Sequence, residues 1–226
     1  MIGYSRRYGK PALHATTIGV TDLMTSLAVV FILLLTVYIT RSAKAESHAQ
    51  DQKANIKAVL HDRFSRFGLS LDTDPRDPLA ILMVVPDNMV NFEFGKSALP
   101  ATASAFLEET MPFYASVVCG PLRESIDSVV IEGHTDDFGS DTLNLKLSQD
   151  RSFSVMVKAL EIIQTAQPSA SQCFQQVTSA SGRGKQDLIY EDGQVPNREK
   201  SRRVVFKIRL RSIEQRRPLA DIAALP

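Results

Sequence analysis

A long apolar segment near the N-terminus restricts this chain more than any other feature. Residues 18–39 read IGVTDLMTSLAVVFILLLTVYI, and as an α-helix this run of about 22 residues would be about 33 Å long. That length matches the hydrocarbon core of a bilayer, so we predict a retained transmembrane helix over residues 18–40. A cleaved signal peptide is the alternative, although the apolar region of a signal peptide is usually only about 7–15 residues long.

The basic residues around this segment do not fix its orientation. The positive-inside rule compares the two flanks of a span, and here the flanks are equal. Three basic residues precede the segment and three follow it: Arg6, Arg7, Lys10, Arg41, Lys44 and Lys53. The orientation must therefore come from what lies beyond the segment.

The apolar segment contains one acidic residue, Asp22. A carboxylate inside a membrane helix costs several kcal/mol, so it usually faces a protein partner or water and marks an ion or proton path. Thr25 and Ser26 lie three and four positions later, which places three polar groups on one helix face. Alternatively, Asp22 caps a helix that begins at Leu23, which leaves about 17 apolar residues, close to the minimum for a span. The residues alone leave both interpretations open.

The rest of the chain predicts a helical connection followed by one α/β domain. Residues 41–67 carry apolar side chains at helical spacing, and the aspartates and prolines of residues 72–78 predict a break, which we take as the domain boundary. The order β-α-β-α-β-β beyond it predicts a mixed sheet with helices covering one face. The predicted strands are 79–86, 91–94, 128–133, 173–180 and 202–211, and the predicted helices are 101–117 and 142–164.

Composition excludes several classes of function. The 226 residues include 26 Lys and Arg against 25 Asp and Glu, so we expect no nucleic-acid partner, which would require a strongly basic face. The four histidines lack metal-ligand spacing, and the sequence has no phosphate-binding loop, calcium loop or nucleophile elbow. We therefore expect neither an enzyme nor a bound metal or cofactor.

The membrane segment is similar to that of a known family. The run Asp22-Leu23-Met24-Thr25, with Phe31 among the apolar residues after it, resembles the membrane helix of the MotB family, the B subunits of ion-driven stator motors. This resemblance implies that Asp22 carries a translocated proton or sodium ion, with Thr25 as a helper. It also implies a homodimer of such helices inside a pentamer of MotA- or ZorA-like A subunits.

The second part of the chain, residues 79–211, resembles the OmpA C-terminal, peptidoglycan-binding family. The motif GHTDDFGSDTLNLKLSQDR over residues 133–151 carries the resemblance, with FEFGKSALP before the first predicted helix and further matches at 182–184 and 197–205. The resemblance implies an OmpA-like α/β fold and binding of the diaminopimelate of a wall peptide. The matching positions are Asp136 and Arg151 for direct contacts, and Thr135, Asn144 and Arg198 near the ligand.

The charges of Asp136 and Arg151 suit such a ligand independently of the resemblance. Asp136 follows a predicted strand and Arg151 lies in the next predicted helix, so both side chains can point into one cleft. A carboxylate for an ammonium group and a planar guanidinium for a carboxylate form a clamp for a zwitterionic amino-acid end. A structural ion pair between the two residues is the alternative.

A wall ligand exists only outside the cytoplasmic membrane, which fixes the orientation. We therefore predict a bacterial inner-membrane protein with a cytoplasmic N-terminus (1–17), a periplasmic linker or plug helix (41–78) and a C-terminal tail (212–226). In that oxidising compartment Cys119 and Cys173 are candidates for a disulfide, and two buried thiols are the alternative.

Together the two resemblances predict the B subunit of a rotary motor of 5:2 stoichiometry, whose outer domain anchors the complex to peptidoglycan. The region between span and wall domain, residues 41–78, is short. This favours a non-flagellar motor, similar to the B subunit of the Zorya anti-phage defence system, over a flagellar stator. A passive tether between membrane and wall, without ion transport, is the alternative.

Overall fold

A computed structural model describes residues 14–191 and 193–211 of the chain. Most of the predicted cytoplasmic N-terminus (1–17) and all of the predicted tail (212–226) lie outside the described residues. The chain divides into two compact units, with the division between Ser47 and His48.

The first unit contains the beginning of helix α1, which extends from His14 to Phe64. Its described part includes an 18-residue window with a mean hydropathy of 2.4, and none of that window is buried. Among the described residues this is the one helix that is long and apolar enough to cross a membrane. It is therefore the candidate transmembrane helix of the predicted fold class.

The second unit is built on a mixed β-sheet. Its strands are β1 (Ser70–Asp74), β2 (Asp77–Pro86), β3 (Ile126–His134), β4 (Thr178–Gly184), β5 (Tyr190–Glu191), β6 (Val195–Pro196) and β7 (Arg203–Leu210). The main sheet has the spatial order β1-β2-β7-β3-β4, and β5 pairs with β6 in a separate hairpin. The pair β3 and β4 is parallel, whereas the other neighbours in the main sheet are antiparallel.

Helices cover one face of this sheet. They are α2 (Asp87–Val90), α3 (Ala101–Val118), α4 (Asp141–Ala166), α5 (Pro168–Val177) and α6 (Arg198–Ser201), with 3₁₀ turns at Ser65–Phe67 and Arg123–Ser125. Alternate residues of β7, Val204, Phe206 and Ile208, point into the core, as the period of two in a strand requires. The predicted fold class, an α/β domain with a mixed sheet and helices on one face, is confirmed.

The last turns of α1 belong to this domain, although the sequence assigned them to a linker. Ile56, Leu60 and Phe64 are all 0% exposed and join the core of the sheet and helices. The ring of Phe64 lies 5.8 Å from that of Phe113 and 6.3 Å from that of Tyr114. The helical spacing was predicted, but its apolar face serves the domain core and not a free connecting helix.

The predicted domain boundary at residues 72–78 is wrong, because these residues form a β-hairpin. β1 ends at Asp74 and β2 begins at Asp77. The carboxylate of Asp74 accepts hydrogen bonds from the backbone N of Arg76 at 2.9 Å and from Lys207 Nζ at 2.6 Å. Aspartates that indicated an exposed turn therefore include one that is buried in the sheet and paired with a distant lysine.

Two predicted strands are also wrong. Residues 173–177 end helix α5, where Phe174 and Val177 are buried one turn apart, and only residues 178–180 of that prediction lie in β4. Residues 91–94 form no strand, because Asn91 has a φ of 38° and turns the chain away from the direction of β2. The chain after β2 is therefore a loop, and its backbone accepts hydrogen bonds from Arg151.

A disulfide joins the end of α3 to α5. Cys119 and Cys173 are bonded, with their Cα atoms 6.0 Å apart, and they are separated by 54 positions in the chain.

We expect the double substitution Cys119→Ala, Cys173→Ala to lower the free energy of unfolding by about 4 kcal/mol, because a closed loop of this length restricts the unfolded chain. Urea unfolding measures the change, and thiol titration before and after reduction is the control. Two thiols that react without reduction would contradict the bond.

Candidate ligand-binding site

The candidate site lies at one edge of the main sheet. In the strand register Pro86 pairs with Arg203, Arg203 pairs with His134, and His134 pairs with Gly184. The ends of β2, β3 and β4 and the beginning of β7 therefore meet at this edge. Residues that directly follow or precede these strand ends are brought together from four distant parts of the chain.

Two glycines bring helix α4 close to this edge. A Cβ atom on Gly133 would lie 2.2 Å from the backbone O of Ser148, and one on Gly182 would lie 2.5 Å from the backbone N of Gln149. Neither distance is sterically possible, so glycine is required where β3 and β4 cross the helix. This close approach places Arg151, less than one turn further along α4, beside the strand ends.

Arg151 is a buried cation, only 6% exposed. Its Nε donates to the backbone O of Lys96 at 2.9 Å and its Nη2 to the backbone O of Glu93 at 3.1 Å. The guanidinium carbon lies 4.9 Å from the centroid of the Phe92 ring. Burial lowers the pKa of Arg151, and among the described residues no carboxylate lies within ion-pair distance of it. A guanidinium has five N–H donors, so three of those on Arg151 have no hydrogen-bond acceptor among the described residues.

The two carboxylates whose charges act on Arg151 are joined by a second arginine, Arg202. Its Nε lies 2.7 Å from Asp87 Oδ2, and its Nη1 lies 3.1 Å from Asp136 Oδ2. The other oxygen of Asp136 accepts a hydrogen bond from the backbone N of Phe138 at 3.1 Å. The hydrogen bond to Asp87 raises the pKa of Arg202, and the negative charges of Asp87 and Asp136 also favour the charged form of Arg151. Asp136 and Arg151 thus lie in one site but do not pair directly.

The other three predicted site residues occupy different positions. Thr135 is buried, and its backbone N donates to the O of Gly184 at 3.0 Å, while its hydroxyl has no partner within the described chain. Asn144 Nδ2 donates to the O of Phe138 at 2.8 Å and so supports the turn after β3. Arg198 binds Asp137 through two hydrogen bonds of 2.6 and 3.2 Å, which lower the pKa of that carboxyl.

The site lies in a region that matches a known protein family. A model of the OmpA family matches residues 91–202, which include Asp136, Arg151 and Arg202. The chain carries an OmpA-family domain. No curated protein matches the chain.

Among the residues that the structure describes, no group of three His, Cys, Asp or Glu side chains could hold a metal ion in or outside this domain.

Solved structures also resemble the chain. A MotB-like protein from Desulfovibrio vulgaris is 19% identical with a TM-score of 0.52, and the match covers 75% of this chain and 99% of that one. The periplasmic domain of Helicobacter pylori MotB is 19% identical with a TM-score of 0.46, covering 70% and 88% of the two chains. The cell wall anchor of the T6SS from Pseudomonas aeruginosa is 19% identical with a TM-score of 0.45, covering 69% and 97%. At 19% identity, the similarity to the MotB-like protein from Desulfovibrio vulgaris shows a shared fold and no more.

The cleft of the OmpA-family domain is narrow. Arg151, Arg202 and Asp87 line it together with Phe92 and His134, and its volume of about 10 Å³ admits about one water molecule. A ligand of amino-acid size must therefore bind at the mouth of the cleft or displace the bridge that Arg202 makes.

Two charged residues of the site were not assigned from the sequence. Asp87 directly follows a predicted strand, and the convergence of strand ends at one sheet edge could have indicated it. Arg202 could not be assigned from a local pattern, because its partner Asp87 is 115 positions away in the chain. Only the sheet order, with β7 between β2 and β3, brings these two residues together.

Proposed function

We propose that this chain is the B subunit of an ion-driven membrane motor, anchored to peptidoglycan by its OmpA-family domain. The observation that carries the proposal is Arg151, a buried cation with three unpartnered N–H groups and no contacting carboxylate among the described residues. Arg151 lines the cleft, so a ligand carboxylate bound there would accept hydrogen bonds from these N–H groups. The diaminopimelate of a wall peptide carries such a carboxylate beside an ammonium group.

The neighbouring charges support a zwitterionic ligand. Asp87 and Asp136 share the single cation Arg202. With Arg151 and Arg203, which line the same cleft, they make two negative and three positive charges. A ligand whose carboxylate binds Arg151 and whose ammonium binds Asp136 leaves that balance unchanged. The site therefore offers donors for a carboxylate and, because Asp87 and Asp136 share one arginine, an acceptor for an ammonium group, as an amino-acid end requires.

The membrane part of the proposal rests on Asp22. Helix α1 begins at His14, about two turns earlier, so Asp22 lies inside the helix and does not cap its N-terminus. The Thr25 hydroxyl donates to the backbone O of Asp22 at 2.9 Å, which leaves the Asp22 carboxylate free of that hydroxyl. We propose that Asp22 carries H⁺ or Na⁺, that two copies of α1 lie within an A-subunit pentamer, and that the domain is periplasmic, with a cytoplasmic N-terminus.

We further propose a non-flagellar output, such as a Zorya-type defence motor. The compact second unit begins at His48, so residues 41–47 alone separate it from the predicted end of the span at residue 40. This connection is shorter than the sequence indicated, which supports an output that does not require the subunit to reach around a flagellar basal body.

The wall-binding part is tested by the substitution Arg151→Lys. Lysine keeps the positive charge but loses the planar pair of donors, so we expect binding to purified sacculi to weaken about 10- to 100-fold, the range for a hydrogen bond to a charged group. The measurement is sedimentation of the detergent-solubilised chain with sacculi. The matched control is Arg209→Lys, because Arg209 lies on the same strand as the site, about 20 Å away, and pairs with Asp77 at 3.0 Å.

Unchanged sacculus binding by the folded Arg151→Lys protein would contradict the proposal. Circular dichroism and the midpoint of thermal unfolding establish that the variant is folded. Equal losses for Arg151→Lys and Arg209→Lys would indicate a nonspecific effect of basic residues and would also contradict it.

A further inference from the structure

Two phenylalanine rings lie side by side in solvent next to the candidate site. Phe94 is 84% exposed and Phe138 is 60% exposed. Their ring centroids are 5.7 Å apart, with a 58° angle between the ring planes. Phe94 is the most exposed large hydrophobic residue in the part of the chain that the structure describes. The pair buries little in the folded domain, so folding alone does not account for it.

The two rings belong to the loops that hold the charged residues of the site. Phe94 lies between Glu93 and Lys96, whose backbone oxygens both accept hydrogen bonds from Arg151. The backbone N of Phe138 donates to Asp136 Oδ1. Phe138 therefore lies on the same short loop as Asp136, and Phe94 lies on the loop that accepts the hydrogen bonds of Arg151.

Both loops are held firmly. Arg151 fixes the loop that carries Phe94 through its two hydrogen bonds to the backbone oxygens. The loop that carries Phe138 is fixed by the hydrogen bond from Asn144 Nδ2 to the O of Phe138, at 2.8 Å. The exposed pair is therefore presented on ordered backbone and keeps a defined position relative to the charges, as a contact surface for a ligand requires.

We infer that Phe94 and Phe138 contact the apolar part of the wall peptide that extends outside the charged clamp. This inference rests on the proposed wall-binding function. The cleft at Arg151 admits only about one water molecule, so most of a bound peptide must lie outside it. A diamino acid continues from its zwitterionic end into a methylene chain, and aromatic faces beside the clamp remove such a chain from water. The pair thus adds an apolar contact to the charged contacts of the clamp.

The test uses the full chain in detergent and two soluble probes. One probe is a diaminopimelate-containing tetrapeptide without sugar, and the other is the same tetrapeptide joined to its disaccharide. We expect the double substitution Phe94→Ala, Phe138→Ala to weaken binding of both probes by about tenfold, as truncation of an aromatic contact residue does. Phe153→Ala is the matched control, because Phe153 is 53% exposed on α4 and should leave both affinities unchanged.

The outcomes separate this inference from the proposed function. Wild-type affinity of the double variant for the tetrapeptide overturns the inference, and a weakened Arg151→Lys protein in the same assay shows that the proposed function stands. A loss confined to the disaccharide probe also overturns it, because the rings would then contact the glycan. If Arg151→Lys binds both probes as tightly as the unchanged chain, the proposed wall binding itself fails.

Discussion

Asp22→Asn is expected to abolish ion flow through the membrane part of the complex while leaving its assembly intact. Asparagine has nearly the same size and polarity, but it cannot bind and release a proton or pair with a sodium ion. If Asp22 is the ion carrier, no other acidic residue in the apolar segment can replace it, because residues 18–39 contain no other Asp or Glu. Ion uptake by cells that express the chain together with its A subunits measures the effect.

The control for this experiment is Asp62→Asn. Asp62 lies on the same helix α1, outside the predicted span, and its side chain is exposed. It should leave ion uptake unchanged. Uptake by the Asp22→Asn protein at the level of the unchanged chain would reject the motor. Sacculus binding that persists in that case would support the passive tether, in which the same wall-binding domain works without ion transport.

Strands with strong apolar patterns could be predicted from the sequence. The runs that became β2, β3 and β7 are continuous or alternating, and their structural bounds lie within two residues of those predicted. β1 was missed because it is paired with β2 on one side only and buries just Leu71 and Asp74. Burial of Asp74 depends on Lys207, which lies 133 positions later in the chain. No local pattern carries that information.

The presence of Asp136 and Arg151 in one site was predictable, but the residues that surround them were not. Asp136 and Arg151 lie within one motif, Asp136 in the loop after β3 and Arg151 in the helix α4 that follows this loop. Their separation by Arg202 depends on the strand order, and the hydrogen bonds of Arg151 depend on a loop that was predicted as a strand. The aromatic pair likewise needs both loops in place, since Phe94 and Phe138 are far apart in sequence.

The boundary of the folded domain gives the second large effect. A fragment of residues 48–211 is expected to unfold cooperatively in urea, whereas a fragment of residues 79–211, which begins at the sequence-based boundary, is expected not to fold. The shorter fragment lacks Ile56, Leu60 and Phe64, which are fully buried, and also all of β1. Loss of several large core side chains removes more free energy than the about 5–15 kcal/mol that stabilises a typical domain.

Substitutions within the 48–211 fragment separate the packing of α1 from the effect of chain length. Leu60→Ala with Phe64→Ala should lower the free energy of unfolding by about 5–8 kcal/mol, because both leave cavities in one core. Val59→Ala, on the same helix but 38% exposed, should cost less than about 1 kcal/mol. Cooperative unfolding of the 79–211 fragment with the stability of the longer one would restore the boundary at residues 72–78. The connection to the membrane would then again comprise residues 41–78, and the additional support that a seven-residue connection gives to a non-flagellar output would be lost.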